Sequence, residues 1–260
     1  MVFQLSTPDA VRVRKSTAGV DSNAASRSAM PSIDHTHAIV SRRGWLSVTP
    51  ASFRAQVLER SLLQEYRAGE KIYALGDSAG GAYGLVSGVL GISIAPGERG
   101  PLFAHIAPPG TWIGFAAFFT EQPRQVGLEA KRDTRLLHLP LHAMREMVAA
   151  DPGAWRFFGL AVVINSAIAI GAADDLLIRD PVNRCVAVLL RLAGCRERTL
   201  PGSAPIDIDV SQDEVAALAN LSRTTAGAIL RRFHTSQYLE VSYRRIRLLT
   251  PDALRAMLTE

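Results

Sequence analysis

The stretch between residues 210 and 248 constrains the fold of this 260-residue chain more than any other. Ser211 is followed three residues later by Glu214, and this capping-box pair predicts that a helix begins directly after Ser211. Asn220 tolerates the left-handed backbone of a tight turn, and Ser222 can cap a second helix. Two helices joined by so short a turn cross steeply, which is the geometry of a helix-turn-helix whose second helix can enter the major groove of DNA.

The second helix and the chain that follows it are strongly basic. Residues 220–247 include six arginines and a single acidic residue, Glu240. Residues 239–241 and 246–248 have strand character and enclose a Ser-Tyr-Arg-Arg turn, which predicts a wing beside the helix. A solvated charged face is the ordinary explanation of such a cluster, but cap, turn and wing all favour a winged helix-turn-helix.

A further helix is predicted just upstream. Asp180 can cap free N–H groups, and Pro181 already has the backbone angle that a first helical position needs. Cys185 falls on the apolar side of this helix, so we expect a buried structural thiol. Because Cys185 and Cys195 are the only cysteines in the sequence, disulfide scaffolds and four-thiolate metal sites are excluded, and a reducing cytoplasm is the expected compartment.

The segment before that boundary has no charged residue from Phe157 to Ala173. Its 17 residues lie at the lower limit of membrane-spanning length. We expect instead a dimerisation helix from about Pro152 to Arg179, buried against its own subunit and against a second copy. The residues expected at the dimer contact are Phe157, Ala161, Ile164, Ile168 and Gly171.

Short β-type runs broken by glycine and proline fill the middle of the chain, from Tyr66 to Leu139. Their even spacing predicts an all-β roll or barrel. Glycines can take positive φ without steric cost, and four of them fall where strands must turn. These are Gly69, Gly76, Gly88 and Gly110.

We expect no secretory leader in the N-terminal residues, because Arg12, Arg14 and Lys15 interrupt the window where its apolar core should lie. Residues 1–40 are predicted to be a flexible tail, with Met30 as an alternative start. The net charge of +5 favours an anionic partner.

These features resemble the Crp/Fnr family of transcription regulators. The likeness lies in "RAGEKIYALGD" (67–77), "AYGLVSGVLGI" (82–92), "IAPPGTWIGFAAFF" (106–119), "RQVGLEAKRDTRLLHLP" (124–140) and "DEVAALANLSRTTAGAILRRF" (213–233). It implies an α+β chain with an antiparallel β-roll of the cyclic-nucleotide-binding kind, a double-stranded β-helix, then a long dimerisation helix and a winged helix-turn-helix. The expected domains are the tail (1–40), the sensor roll (41–150), the dimerisation helix and hinge (151–180, with Asp180 and Pro181), and the DNA-binding domain (181–260).

The family's ligand cassette normally has a glutamate for the ribose hydroxyl and an arginine for the cyclic phosphate. Here Phe115 replaces the glutamate and Gln125 replaces the hydroxyl residue after Arg124, which survives as a lone anion anchor or a plain surface charge. Ordinary cAMP binding is therefore disfavoured and no cofactor is expected. An unidentified effector and a roll without ligand both stay open. The candidate effector pocket comprises Gly114, Phe115, Arg124, Gln125, Ala169 and Ile170.

The resemblance also assigns DNA contacts. Arg223 matches the recognition arginine, which can grip guanine with two hydrogen bonds. Thr224 and Ala228 stand at the other reading positions, where the family's usual residues are absent, so a different operator sequence is expected. The residues expected to contact the DNA backbone are Ser211, Ser222, Thr225, Arg231, Arg232, Arg244 and Arg245.

The expected partners are double-stranded DNA as a palindromic operator, a second copy of the chain and RNA polymerase, with no membrane. Enzymes are a competing class, because related β-rolls include metal-dependent cupins. His105, His138 and His142 lack the H-x-H spacing of a cupin metal site, so neither metal nor catalysis is expected. A haem sensor is a third class, for which these histidines offer no clear axial ligand.

Overall fold

The structure is a computed structural model that describes residues 33–95 and 102–258. The N-terminal half contains α1 (Ile33–Arg42), a 3₁₀ helix (Trp45–Val48), α2 (Ala51–Glu59), β1 (Leu62–Tyr66), β2 (Lys71–Tyr73), β3 (Gly81–Ser87), β4 (Leu90–Ile94), β5 (Leu102–Ala107), β6 (Trp112–Ile113), α3 (Ala116–Thr120), β7 (Gly127–Ala130), β8 (Thr134–Pro140) and α4 (Leu141–Ala150). The C-terminal half contains α5 (Ala154–Leu177), α6 (Pro181–Leu192), β9 (Ile206–Ile208), α7 (Gln212–Leu218), α8 (Arg223–Thr235), β10 (Leu239–Ser242), β11 (Arg245–Leu248) and α9 (Pro251–Ala256).

The first eight strands form two antiparallel four-stranded sheets, in the orders β1-β8-β3-β6 and β2-β7-β4-β5. All four glycines predicted at turns have positive φ. At Gly88 a Cβ would lie only 2.5 Å from the carbonyl oxygen of Asp133, so this turn has no room for a side chain. The predicted β-roll is confirmed.

An aromatic cluster closes one end of the roll. Trp45 is 2% exposed, and its ring centroid lies 4.7 Å from that of Phe115 and 5.8 Å from that of Phe158 on α5. The Trp45 indole also donates a hydrogen bond to the Phe157 carbonyl at 2.6 Å. The helices before the roll thus join it to the long helix α5.

The predicted tail extends too far. Helix α1 spans Ile33–Arg42, and the Val40 side chain is fully buried in the aromatic cluster's core. The last residues of the expected tail are therefore helical, because Val40 gains a buried apolar site. Residues 1–32, including Met30, lie outside the described part of the chain.

Helix α5 packs on the roll along one side only. Within the described residues it is the one helix long and apolar enough to cross a membrane, and only 11% of its most apolar window is buried. Length and composition alone are weak support for a span, since helices of soluble proteins meet the same criteria. Val163, Ile170 and Leu177, seven residues apart, are 64%, 69% and 79% exposed. This exposed side of α5 is called the α5 stripe below.

The predicted dimer contact lies on a different side of α5 from the stripe. Ala161 is 1% exposed within its own subunit, and Phe157 and Ile164 pack on the same core. The five predicted positions are three or four residues apart, so they lie on one side of the helix. Phe157 and Ala161 show that this side faces the roll. Phe157, Ala161 and Ile164 therefore pack within the chain itself, whereas the exposed apolar side is the α5 stripe. The residues that contact a second copy stay a prediction.

The C-terminal half forms the predicted winged helix-turn-helix. The side chain of Asp180 accepts a hydrogen bond from the Asn183 N–H at 2.7 Å and caps α6, as expected. Asn220 has φ 50° in the turn between α7 and α8. The core of this half also includes Val89 and Ile106 from the roll, so the two halves share one apolar cluster.

Candidate nucleic-acid interface and effector cavity

The outer face of α8 presents the predicted reading residues. Arg223, Thr224 and Ala228 are exposed, whereas the inward residues of the same helix are buried. The Arg223 side chain is 83% exposed, and its Nε lies 2.9 Å from Oδ1 of Asp213 on α7. An exposed pair of this kind contributes little, so the guanidinium is free to exchange it for another acceptor.

The two serines predicted at helix starts act as caps. Ser211 accepts from the Glu214 N–H at 3.2 Å and returns its own N–H to the Glu214 carboxylate at 2.7 Å, which completes the predicted capping box. Ser222 accepts from the Thr225 N–H at 3.0 Å, and the hydroxyls of Ser222 and Thr225 lie 2.8 Å apart. The hydroxyls of Ser222 and Thr225 are exposed at the start of α8, whereas Ser211 at the start of α7 is half-buried.

The wing is the β10–β11 hairpin. At its tip Tyr243 is 86% exposed, and Arg244, with φ 56°, lies with its guanidinium 5.2 Å from the Tyr243 ring. Arg245 pairs with Asp209 at 3.2 Å. Over the described ranges no carboxylate pairs with Arg231, Arg232 or Arg244, so these three carry the unneutralised positive charge of this face.

A cavity of about 900 Å³ lies between the roll, α5 and α7. Five of the six predicted pocket residues line it, namely Gly114, Phe115, Arg124, Gln125 and Ala169. Ile170 is wrong as a pocket residue, because it sits one position further round the helix and belongs to the α5 stripe.

Arg124 is not a surface charge. It is 5% exposed, and its two terminal nitrogens donate to the carbonyls of Gly114 at 3.0 Å and Gly81 at 2.8 Å. Its guanidinium also lies 4.2 Å from the centre of the Tyr73 ring. Gly114 has no side chain to obstruct this contact: a Cβ there would lie 2.7 Å from the guanidinium. Arg124 thus fastens the cavity wall through backbone carbonyls.

A buried ionic network joins the cavity wall to α6, and sequence reasoning missed it. Asp175, 1% exposed at the end of α5, accepts from Arg191 at 2.7 Å and from Arg196 at 3.1 Å. Arg191 also lies 2.7 Å from Nδ1 of His105 on β5. Since a guanidinium only donates, Nδ1 accepts and Nε2 carries the histidine proton. These residues come from separate segments, so no local pattern could have indicated the network.

The network predicts a pH dependence of stability. Burial, together with the Arg191 charge, lowers the pKa of His105 to about 4, below the roughly 6.5 of an unfolded histidine. The stabilisation by neutral His105 is therefore complete above about pH 6.5 and declines as the pH falls towards about 4. Urea unfolding across this window should show a shallower decline for His105→Gln; identical slopes for both proteins would contradict the assignment.

A second contact joins the roll to the helix-turn-helix. Arg132, between β7 and β8, donates to both carboxylate oxygens of Glu214, at 3.3 and 3.1 Å. Burial would raise the pKa of Glu214, but the bonds from Ser211 and Arg132 outweigh it and lower the pKa. The capping-box glutamate of α7 thus also docks the reading unit on the roll.

The three histidines considered as metal ligands have different surroundings. His105 belongs to the buried network, whereas His138 stacks on Tyr83 at 4.4 Å and His142 is exposed on α4. Within residues 33–95 and 102–258, no three His, Cys, Asp or Glu side chains are grouped as a metal site requires. Cys185 is buried as expected, and burial raises its pKa to about 12.

Fold and site together define a two-part protein: a sensor-type β-roll joined by a long helix to a winged helix-turn-helix. The family model of the cyclic nucleotide-binding domain matches residues 63–151, and that of the Crp-like helix-turn-helix domain matches residues 183–257. The two matches together cover more than half of the chain. The chain belongs to the Crp/Fnr family of transcription regulators, which act by binding DNA.

Solved structures share this fold. CLP of Xanthomonas campestris, a c-di-GMP responsive global regulator, is 21% identical, with 77% of this chain and 99% of that chain covered and a TM-score of 0.59. TTHA1359 of Thermus thermophilus, a CRP/FNR family regulator, is 23% identical (76% and 99% covered, TM-score 0.57). FixK2 of Bradyrhizobium japonicum is 18% identical (75% and 96%, TM-score 0.63). No curated protein sequence matches the chain.

Proposed function

We propose that the protein is a homodimeric, sequence-specific transcription regulator that reads a palindromic operator with α8. The observation that carries this proposal is the exposed guanidinium of Arg223 at the start of a helix whose inner face is buried. An arginine so placed can bind O6 and N7 of a guanine in the major groove. Thr224 and Ala228 complete the reading face.

Contacts to phosphates position the helix. Arg231, Arg232 and Arg244 lack carboxylate partners among the described residues, and the exposed Ser222 and Thr225 hydroxyls stand at the start of α8. We assign these five to the DNA backbone. Ser211 and Arg245 are weaker candidates, because the first is engaged in the capping box and the second pairs with Asp209.

Dimerisation through the α5 stripe would supply the twofold symmetry. An exposed apolar stripe of this length needs a cover, and a second copy of α5 offers the same side chains in return. Two reading helices then fit half-sites about 34 Å apart. We propose boundaries at residues 33–150 for the sensor, which adds α1 to the predicted 41–150, 151–180 for the dimerisation helix and hinge, and 181–260 for the reading domain. RNA polymerase is the expected further partner, in the cytoplasm.

The response to effector is altered from that of a cAMP receptor in this proposal. Phe115 is 1% exposed in the aromatic cluster and offers a ribose no acceptor, while Arg124 already donates to two carbonyls. The alternative is a cyclic-nucleotide-responsive regulator with a non-standard cassette, which the match to the cyclic nucleotide-binding domain favours. A band-shift assay with cAMP separates them: a large cAMP-dependent gain in affinity supports the alternative.

The test of the reading assignment is Arg223→Ala on a palindrome selected from fragments of the source genome. We expect a loss of about 1–3 kcal/mol in binding that is confined to one base pair per half-site, because only that pair loses its two hydrogen bonds. Competition with single-base operator variants measures it. Arg231→Ala is the matched control and should weaken all sequences equally. Uniform loss from Arg223→Ala would reassign Arg223 to a phosphate, and selection of no DNA would refute the function.

A further inference from the structure

The cavity is bounded by the DNA-reading half of the chain as well as by the roll. Ala217 and Leu218 of α7 and Asn220 of the turn line it, opposite Ile92 and Phe103 of the roll. A molecule bound there would contact the sensor and the helix-turn-helix at once. A bound molecule would therefore affect how the helix-turn-helix is positioned against the roll.

The walls of this cavity are mainly hydrocarbon. Its volume of about 900 Å³ is within the range of roughly 300–1,000 Å³ that is usual for small-molecule sites. The apolar walls come from β4, β5, α5 and α7, and they include Ile92, Ile94, Leu102, Phe103, Val162, Ile168, Ala172, Leu176 and Leu218. Such walls favour a ligand whose body is apolar.

The polar groups of the cavity favour one negative end. No aspartate or glutamate of the described chain lines it, so nothing there can accept hydrogen bonds from a ribose as a carboxylate does. His105 lines the cavity, and its Nε2 carries the proton because its Nδ1 already accepts from Arg191. No described residue accepts a hydrogen bond from this Nε2–H. Arg191 behind the ring is neutralised by Asp175, whereas Arg124, which also lines the cavity, pairs with no carboxylate of the described residues and supplies the positive potential.

We propose that the cavity binds an apolar carboxylate of medium chain length, its carboxylate accepting from Nε2 of His105 and its hydrocarbon lying against α5 and α7. The ligand class deepens the proposed regulatory function and rests on it for any effect on transcription. Binding itself depends only on the cavity.

Decanoate is the probe, titrated by calorimetry into the full-length protein without DNA. We expect saturable binding of about one decanoate per subunit, with cAMP unable to displace it. Ala169→Phe places a ring into the cavity from α5 and should weaken binding at least tenfold. Ala149→Phe, on the exposed side of α4, is the matched control and should bind as the parent does. Circular dichroism verifies that both variants are folded.

A second pair of variants tests the polar end. His105→Phe removes the donor and should weaken decanoate binding about tenfold, whereas His105→Gln retains an N–H donor and most of the affinity. Equal binding by Ala169→Phe and its control, no saturable binding, or displacement by cAMP would overturn the proposal. Operator binding is assayed separately on ligand-free protein, so failure of the ligand class and failure of DNA recognition give different results.

Discussion

Replacing Ile170 with glutamate should convert the proposed dimer into monomers and lower operator affinity at least a hundredfold. Ile170 is 69% exposed at the middle of the α5 stripe, so a dimer through this face would bury two glutamates without partners. Desolvating unpaired carboxylates costs several kcal/mol, and about 2.8 kcal/mol already corresponds to a hundredfold change. Light scattering after size-exclusion chromatography measures the mass, and band shifts measure the affinity.

Ala149→Glu is the matched control for this substitution, since it adds the same charge to an exposed position of α4. It should leave both mass and operator affinity unchanged. An Ile170→Glu protein that stays dimeric would show that another surface joins the subunits. Flotation with phospholipid vesicles tests whether a membrane covers the α5 stripe instead of a second copy. Vesicle binding by the parent protein that Ile170→Glu abolishes would indicate a membrane.

Replacing Asp175 with asparagine should reduce the free energy of unfolding by about 3–5 kcal/mol. Asparagine has nearly the shape of aspartate but no charge, so the buried Arg191 and the partly exposed Arg196 would lose their shared carboxylate. A buried guanidinium without a counter-charge is the main source of the loss. Equilibrium urea unfolding at neutral pH measures it.

The neighbouring Asp174 provides the control. Its side chain is 69% exposed and lies 3.9 Å from Arg196, so Asp174→Asn should change the free energy of unfolding by less than about 1 kcal/mol. Similar losses from both variants would mean that the effect arises from net charge at the end of α5. A small loss from Asp175→Asn alone would show that water reaches Arg191.

Local patterns predicted the elements that depend on nearby residues. The capping box at Ser211, the turn at Asn220 and the cap at Asp180 each involve groups within a few positions along the chain, and the structure confirms all three. The β-roll followed from turn spacing in the same way. Helix α1 was not predicted, because the burial of its Val40 depends on residues far along the sequence.

The cavity and the α5 stripe depended on contacts that no local pattern specifies. Membership of the pocket was predicted for Ala169 and Ile170 together, but adjacent helix positions face different ways and only Ala169 lines it. The sequence alone could not indicate which side of α5 is exposed in the chain, because the small Ala161 suits a close helix contact and equally suits packing on the roll. The partners of Asp175 lie on other elements and could be found only in the folded chain.

The apolar cluster that Val89 and Ile106 share with the reading half has a practical consequence. A fragment cut at the hinge would expose to solvent the apolar side chains that the roll now covers, and exposed apolar patches of this kind promote aggregation. Grafting this reading unit onto a foreign sensor would require a replacement for those two residues. A soluble fragment should therefore include part of the sensor. Chimaeras made by exchanging whole domains at Asp180 should aggregate.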